Sequence, residues 1–311
     1  MVEPNEARSA VLGPMGRPDA GGPARNLFST PIVVVQTATA TGYGLWIVLG
    51  AALALGLYAD GRGEVLAPLA IGLVLTGSGL LATCLRLPFA RDWHGWNPAQ
   101  RMMPTLEGMI AMMSFLPMLA LAGLARGEND FWATRVAGGA LAAGSLATLV
   151  YTARAAAREL PPAVATIANV WPLGRTVSAL FSGGLWFWAC VASQAETPAH
   201  PADPWQFALL AVALALGLVE GVRWRALGQV AEEHGSGAEI ATGRGAMGLL
   251  GWRVAVAILS VGLPSMLLLS HPAGQAHALA AGLGALSCVI GQCLEQRLFG
   301  RAYVRLLSGR R

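Results

Sequence analysis

Residues 85 to 110 read LRLPFARDWHGWNPAQRMMPTLEGMI, and long apolar stretches lie on both sides. Arg86, His94, Trp96 and Glu107 fall in this segment, and each can do chemistry that its neighbours cannot. A carboxylate or an imidazole with a tuned pKa accepts protons, whereas a guanidinium only donates hydrogen bonds. Trp93, Trp96, Met102 and Met103 can cover a flat ring, although such side chains at a membrane edge are also ordinary belt residues. Arg86 closes one apolar run and Glu107 opens the next. The loop between them returns His94 and Trp96 to the same face, so the spacing predicts one interfacial pocket. Glu107 also has a plainer role: it follows Pro104-Thr105, and a carboxylate in a first helical turn complements the helix dipole.

The elements that must position these groups are apolar helices. The 311 residues are 55% hydrophobic and only 12% charged, about half the charge of an ordinary soluble domain. Eight runs approach the ~20 residues that a bilayer core demands: about 32–58, 66–87, 106–125, 132–153, 175–194, 205–224, 247–270 and 277–299. Lipid offers the backbone no hydrogen-bond partners, so each run is expected to be a helix. The fold expected is all-α, a polytopic bundle of eight transmembrane helices over residues 31–300. A polar N-terminal tail, 1–30, is expected to be disordered, and a basic C-terminal tail spans 301–311. The apolar run after the first tail is too long for a secretory signal. Gln36, Thr37, Thr39 and Thr41 predict a polar side to the first helix. Small residues four apart, as at Gly50–Ala54, Gly139–Ala143 and Gly284–Cys288, favour close helix packing. No internal sequence repeat stands out.

All 21 basic residues are arginine, and they are distributed unevenly. One set of connections holds only Arg62 and Arg126, with Arg135 close enough to snorkel there. The other holds Arg91, Arg101, Arg154, Arg158, Arg175, Arg223, Arg225 and Arg244, with Arg301, Arg305, Arg310 and Arg311 in the tail. The positive-inside rule assigns the second set, and both termini, to the cytoplasm. Within or near the spans, Arg135, Glu220 and Arg253 can snorkel, and Glu295 and Arg297 can end the last helix at the headgroups. An ionisable group in a span is nonetheless a functional candidate. Cys84, Cys190, Cys288 and Cys293 lie in apolar runs without a paired spacing, and no histidine stands mid-span. Neither an iron–sulfur site nor a haem is therefore expected in this chain, and no metal ligand set is assigned. No phosphate-binding loop, zinc motif or nucleophile elbow is present.

A quinone headgroup needs hydrogen-bond partners for two oxygens and a proton acceptor when the quinol is oxidised, and Arg86, His94 and Glu107 supply those types. Six segments then resemble the membrane-anchor subunits of dimethyl sulfoxide reductases and related molybdopterin oxidoreductases (DmsC-like anchors). They are TPIVVVQTATATGYGLW, LRLPFARDWHGWNP, TLEGMIAMMSF, NVWPLGRTVSALFSGG, LLGWRVAVAILSVGLP and CLEQRLFGRAYV. The likeness covers about residues 31–308 through spaced features. It implies a haem-free anchor in a bacterial cytoplasmic membrane that binds menaquinol or ubiquinol. Electrons would pass to an iron–sulfur partner subunit and on to a molybdopterin catalytic subunit. The family's quinol-site glutamate falls on Glu107, and the implied quinol contacts are Arg86, His94, Trp96, Glu107 and Arg253. Arg86 stands where the family has a histidine. Since arginine cannot accept a proton, either His94 takes over proton handling beside Glu107 or the site is altered.

A stand-alone transporter is the alternative, since such proteins also have many spans, often with repeats and mid-membrane breaks. Anchors of the family carry the loop after helix two on the outer face, whereas the arginine distribution here puts it inside. Either the catalytic partner is cytoplasmic, or the arginines answer an acidic partner. Reporter fusions after residues 95 and 198 check this: a cytoplasmic signal is expected at the first and an external one at the second.

Overall fold

The computed structural model describes residues 30–58, 63–87, 92–97, 102–125, 127, 131–158, 165–194, 204–233, 244–270 and 275–308. The N-terminal tail, Arg91, Arg101 and three histidines (His200, His234, His271) lie outside them. The protein is an all-α, multi-pass bundle, and each expected apolar run is a helix. They are α1 (Thr30–Ala54), α2 (Leu66–Cys84), α3 (Leu106–Leu124), α4 (Trp132–Arg158), α5 (Ala165–Gln194), α6 (Pro204–Glu233), α7 (244–269) and α8 (Gln275–Ser308). Ser114 interrupts α3, and a π-helical turn, Ile258–Gly262, interrupts α7.

Four boundaries differ from the hydropathy pattern. α1 stops at Ala54 because Gly56 takes a left-handed φ of 68°. Its amide bonds Leu53 O and that of Leu57 bonds Ala52 O, the double closure that ends a helix at glycine. α5 starts about ten residues before the apolar run, with Pro172 inside it. α6 continues to Glu233, beyond the expected end at residue 224, and α8 continues through Arg301 to Ser308. Polar residues at the membrane edge extend these helices because hydropathy marks the hydrocarbon layer, not the end of backbone hydrogen bonding.

The helices pack as two like halves. In the first, α1 lies against α2 and α4, and α3 against α4; in the second, α5 lies against α6 and α8, and α7 against α8. The adjacent pairs α2–α3 and α6–α7 touch only sparsely. The halves meet through α1 and α5, flanked by α4–α5 and α1–α8. Four spans return the chain to its starting face, so the halves run in the same direction. Burial follows this plan: 56% of the apolar window of α1 and 61% of that of α5 are buried, against 22% for α6 and α7.

Backbones at the centre come close because side chains are absent there. A Cβ on Gly44 of α1 would collide with the Ala179 carbonyl of α5, and one on Gly183 with the backbone of Gly44 and Leu45. Beside this crossing Ser182 Oγ donates to the Ser178 carbonyl at 3.0 Å, leaving Thr41 Oγ1 to donate to Ser182 Oγ at 3.0 Å. Thr37, Thr39 and Thr41 are buried as α1's polar side predicts, whereas Gln36 is exposed. Gly50 of α1 and Gly138 of α4 approach reciprocally, and Gly72 of α2 lies under Trp46. Of the small residues marked by spacing, Gly50 makes such an approach, while Gly139 and Gly284 make only ordinary contacts.

Gly183→Val forces α1 and α5 apart. Overpacking a fitted contact costs about 1–3 kcal/mol, and more is expected where backbone itself is struck. Thermal unfolding in detergent should show a large loss for Gly183→Val and almost none for Gly282→Ala, whose Cβ meets nothing within 4 Å.

Candidate functional site

The loop between α2 and α3 is built from two left-handed turns. α2 closes as α1 does, with the Arg86 amide on Thr83 O and the Leu87 amide on Ala82 O. Here the left-handed position holds Arg86, at φ 54°, instead of glycine. Farther on, Trp93 and Trp96 exchange both backbone hydrogen bonds at 2.9 Å around His94 (φ 49°) and Gly95 (φ 72°). Two consecutive positive φ values make this a hairpin turn of type I′. A non-glycine residue there costs roughly 1–2 kcal/mol, so the contacts of His94 must hold it.

They do so from three elements. His94 Nδ1 lies 2.9 Å from Thr152 Oγ1 of α4, and Nε2 lies 3.2 Å from Tyr43 Oη of α1. Thr152 already donates its proton to the Thr148 carbonyl, so it accepts from Nδ1–H. Nε2 is then the acceptor for the Tyr43 hydroxyl, and the imidazole is neutral in this arrangement. Trp93 is buried against Gly79 of α2 and lies edge-on to the His94 ring at 4.7 Å. Thr105 Oγ1 donates to the His94 carbonyl and accepts from the Gly108 amide, which ties the turn to the start of α3. The turn therefore fills the space between α1, α2 and α4.

The other expected site residues lie around this turn or far from it. Trp96 packs over Gly108, one residue from Glu107. Glu107 is half-buried in the first turn of α3, where Thr105 caps the helix and the carboxylate complements its dipole. Arg86 is exposed at the end of α2. His94, Trp96 and Glu107 are thus brought to one neighbourhood, but both nitrogens of His94 are already engaged. None of these four residues lines either of the cavities described below. Arg253 is not with them; it lies in the second half of the bundle.

There a chamber of about 270 Å³ opens among α5, α6, α7 and α8, in the halves of these helices nearest the face that bears the α2–α3 loop. Its polar lining is Arg175, Ser178, Glu220, Arg223, Trp224, Arg253, Ser260, Gln292, Glu295 and Gln296, with glycine and aliphatic residues between. Arg223 is the hub. Its Nη2 lies 3.0 Å from Glu220 Oε2 and 3.7 Å from Glu295 Oε1. Its guanidinium covers Phe299 at 4.2 Å, and Arg223 as a whole is only 6% exposed. Trp224 Nε1 donates to Glu295 Oε1, and Arg253 stacks over the Trp224 ring at 4.3 Å. Three arginines against two glutamates leave one positive charge over. Among the described residues no carboxylate pairs with Arg175. Arg223 Nε, Arg223 Nη2 and Glu220 Oε2 are buried without a well-directed hydrogen bond. The chamber thus sets polar atoms with unused hydrogen-bonding capacity beside a space large enough for a ring.

The π-helical turn shapes one wall. Pro264 has no amide to offer the preceding turn, and Ser287 Oγ of α8 donates to the freed Leu259 carbonyl at 2.6 Å. Gly291 of α8 lets Ser260 approach, which brings it to the chamber edge. Single-residue readings of Glu220, Arg253 and Glu295 as snorkelling or headgroup residues miss this network, and so does the assignment of Arg175 and Arg223 to the connections. The available signal was joint: five ionisable residues sit at comparable depth in four consecutive spans. Comparison with protein-family models, curated proteins and solved structures gives no match.

Burial lowers the His94 pKa from 6.5 to about 4. The unfolded chain then binds the proton more readily, so the stability given by the neutral ring is present above pH 6.5 and is lost as pH falls towards about 4. A slope approaching about 1.4 kcal/mol per pH unit is expected across that window. His94→Gln should flatten it in pH-dependent thermal unfolding.

Proposed function

We propose that this protein is the membrane-anchor subunit of an iron–sulfur and molybdopterin oxidoreductase, binding quinol from a bacterial cytoplasmic membrane in the chamber among α5–α8. The observation that carries the reading is the meeting of Glu220, Arg223, Arg253 and Glu295 around one ring-sized space inside an apolar bundle. Ionisable groups cost several kcal/mol in a span and persist there for function. A quinol fits the chemistry of the lining. Its hydroxyls donate, and the carboxylates of Glu220 and Glu295 accept; its oxygens accept, and Arg223 Nε–H is a buried donor without a hydrogen bond. Glu220 and Glu295 are the groups able to take the protons released on oxidation, and the Trp224 face and aliphatic walls cover the ring. The two electrons leave for an iron–sulfur cluster in the partner, which docks at the arginine-rich face, read as cytoplasmic. The resemblance of the six segments supports the class of partner.

The alternative, a transporter, draws support from a different observation: α5–α8 repeat the packing of α1–α4, and parallel repeats are common in transporters. The surplus positive charge of the chamber would then select a small anion. The chain alone, reconstituted in vesicles, would in that case move such an anion.

In the assembled complex, Glu220→Gln and Glu295→Gln should each lower quinol-dependent turnover by about 10²-fold while reduction by an artificial donor to the catalytic subunit persists. Turnover at the wild-type level in both removes the chamber from the reaction. Glu107→Gln is the counterpart: a loss there alone moves the quinol to the α2–α3 loop, where the DmsC-like resemblance puts it.

A further inference from the structure

The chamber does not end in a closed wall. A second cavity, of about 440 Å³, adjoins it between α6 and α7 and shares Gly217 and Val261 with its lining. The rest of this groove is almost wholly apolar: Leu210, Leu214 and Leu218 of α6 face Val261 and Gly262 of α7. It runs along the helices towards the opposite half of the membrane, away from Glu220 and Arg253. Leu214 and Leu218 are 68% and 64% exposed, so its outer rim faces the bilayer.

Two features keep the groove open. α6 and α7 barely touch, because each is held by its own partner, α6 by α5 and α7 by α8. Gly217 and Gly221, one turn apart on α6, carry no side chain where one would fill the passage, and a Cβ on either meets nothing within 4 Å. Gly217 marks the junction of charged chamber and apolar groove.

We propose that the groove between α6 and α7 holds the hydrocarbon tail of the molecule whose headgroup occupies the chamber, and that this molecule enters sideways from the bilayer past Gly217. The inference rests on the quinol reading and deepens it: the ligand is an amphiphile with a polar ring and a long isoprenoid or alkyl tail. A charged pocket continuous with an apolar furrow open to lipid matches that division of polarity. A water-soluble ligand has no use for the furrow, and a tail without a polar head has none for the arginines. Each methylene seated in the furrow gains van der Waals contact with its walls.

Binding is measured with the full chain in lipid nanodiscs, by tryptophan quenching with two quinones of identical ring, one with a decyl tail and one without. Gly262→Phe, which lines the groove and not the chamber, should weaken the tailed quinone by about tenfold or more and leave the tail-less ring unchanged. Gly228→Phe, in open space on α6 but outside both cavities, should leave both unchanged and controls for folding. Equal binding of the tailed quinone by wild type and Gly262→Phe overturns the proposal and makes the groove ordinary lipid-facing surface. So does equal weakening of both quinones by Gly262→Phe, which would put the obstruction in the headgroup site. If the wild type binds neither quinone, the quinol reading itself fails.

Discussion

The bundle depends on one contact, the crossing of α1 and α5 at Gly44 and Gly183. Two backbones meet there with no side chain between them, and Thr41, Ser182 and Ser178 form a hydrogen-bonded seam along the crossing. In lipid the hydrophobic effect does not drive helices together, so close van der Waals fit and short polar links must do it. Every other relation follows from this axis. α2 and α4 build outward from α1, α6 and α8 from α5, and α3 and α7 lean on the outer members. The helices farthest from the axis share the sparsest contacts, and it is between two of them that the furrow and chamber open.

The two halves use equivalent spaces in opposite ways. Between α1, α2 and α4 the space is filled by Trp93 and His94, clamped by Tyr43 and Thr152. Among α5–α8 the corresponding space is left open and lined with charge. That charge is tolerated because Arg223 answers two carboxylates and lies against Phe299, so little of it faces lipid uncompensated. Imperfect pairing is the informative part. A network built only for stability would give Arg223 Nε a hydrogen bond and direct Arg223 Nη2 squarely at Glu220 Oε2, and neither is so here.

How much of this could be read from the sequence differed by level. All eight helices were legible, since the bilayer imposes one length and one polarity on each. The polar side of α1 was legible from Thr37, Thr39 and Thr41. The like packing of the two halves was not, because which helices lie together is settled by tertiary contacts that leave no repeated letters in the chain. The α2–α3 loop drew notice for its residue types, yet its charges and rings divide between a helix cap at Arg86, a turn at His94 and a first-turn carboxylate at Glu107. The chamber was hidden for the opposite reason. Arg175, Glu220, Arg253 and Glu295 come from four helices, each looks unremarkable in its own segment, and only tertiary packing brings them together.

The same-direction arrangement of the halves bears on biogenesis. Synthesis runs from the N-terminus, so α1–α4 are made before α5 is available to pack against them. At that stage the Gly44 face of α1, the most closely fitted surface of the protein, meets only acyl chains, which cannot match a bare backbone. Insertion of α5 closes that face in one step and delivers Gly183 and Ser182 together. The fifth span is therefore the checkpoint of assembly: quality-control proteases and insertases that survey membrane proteins would see the chain as unfinished until it arrives.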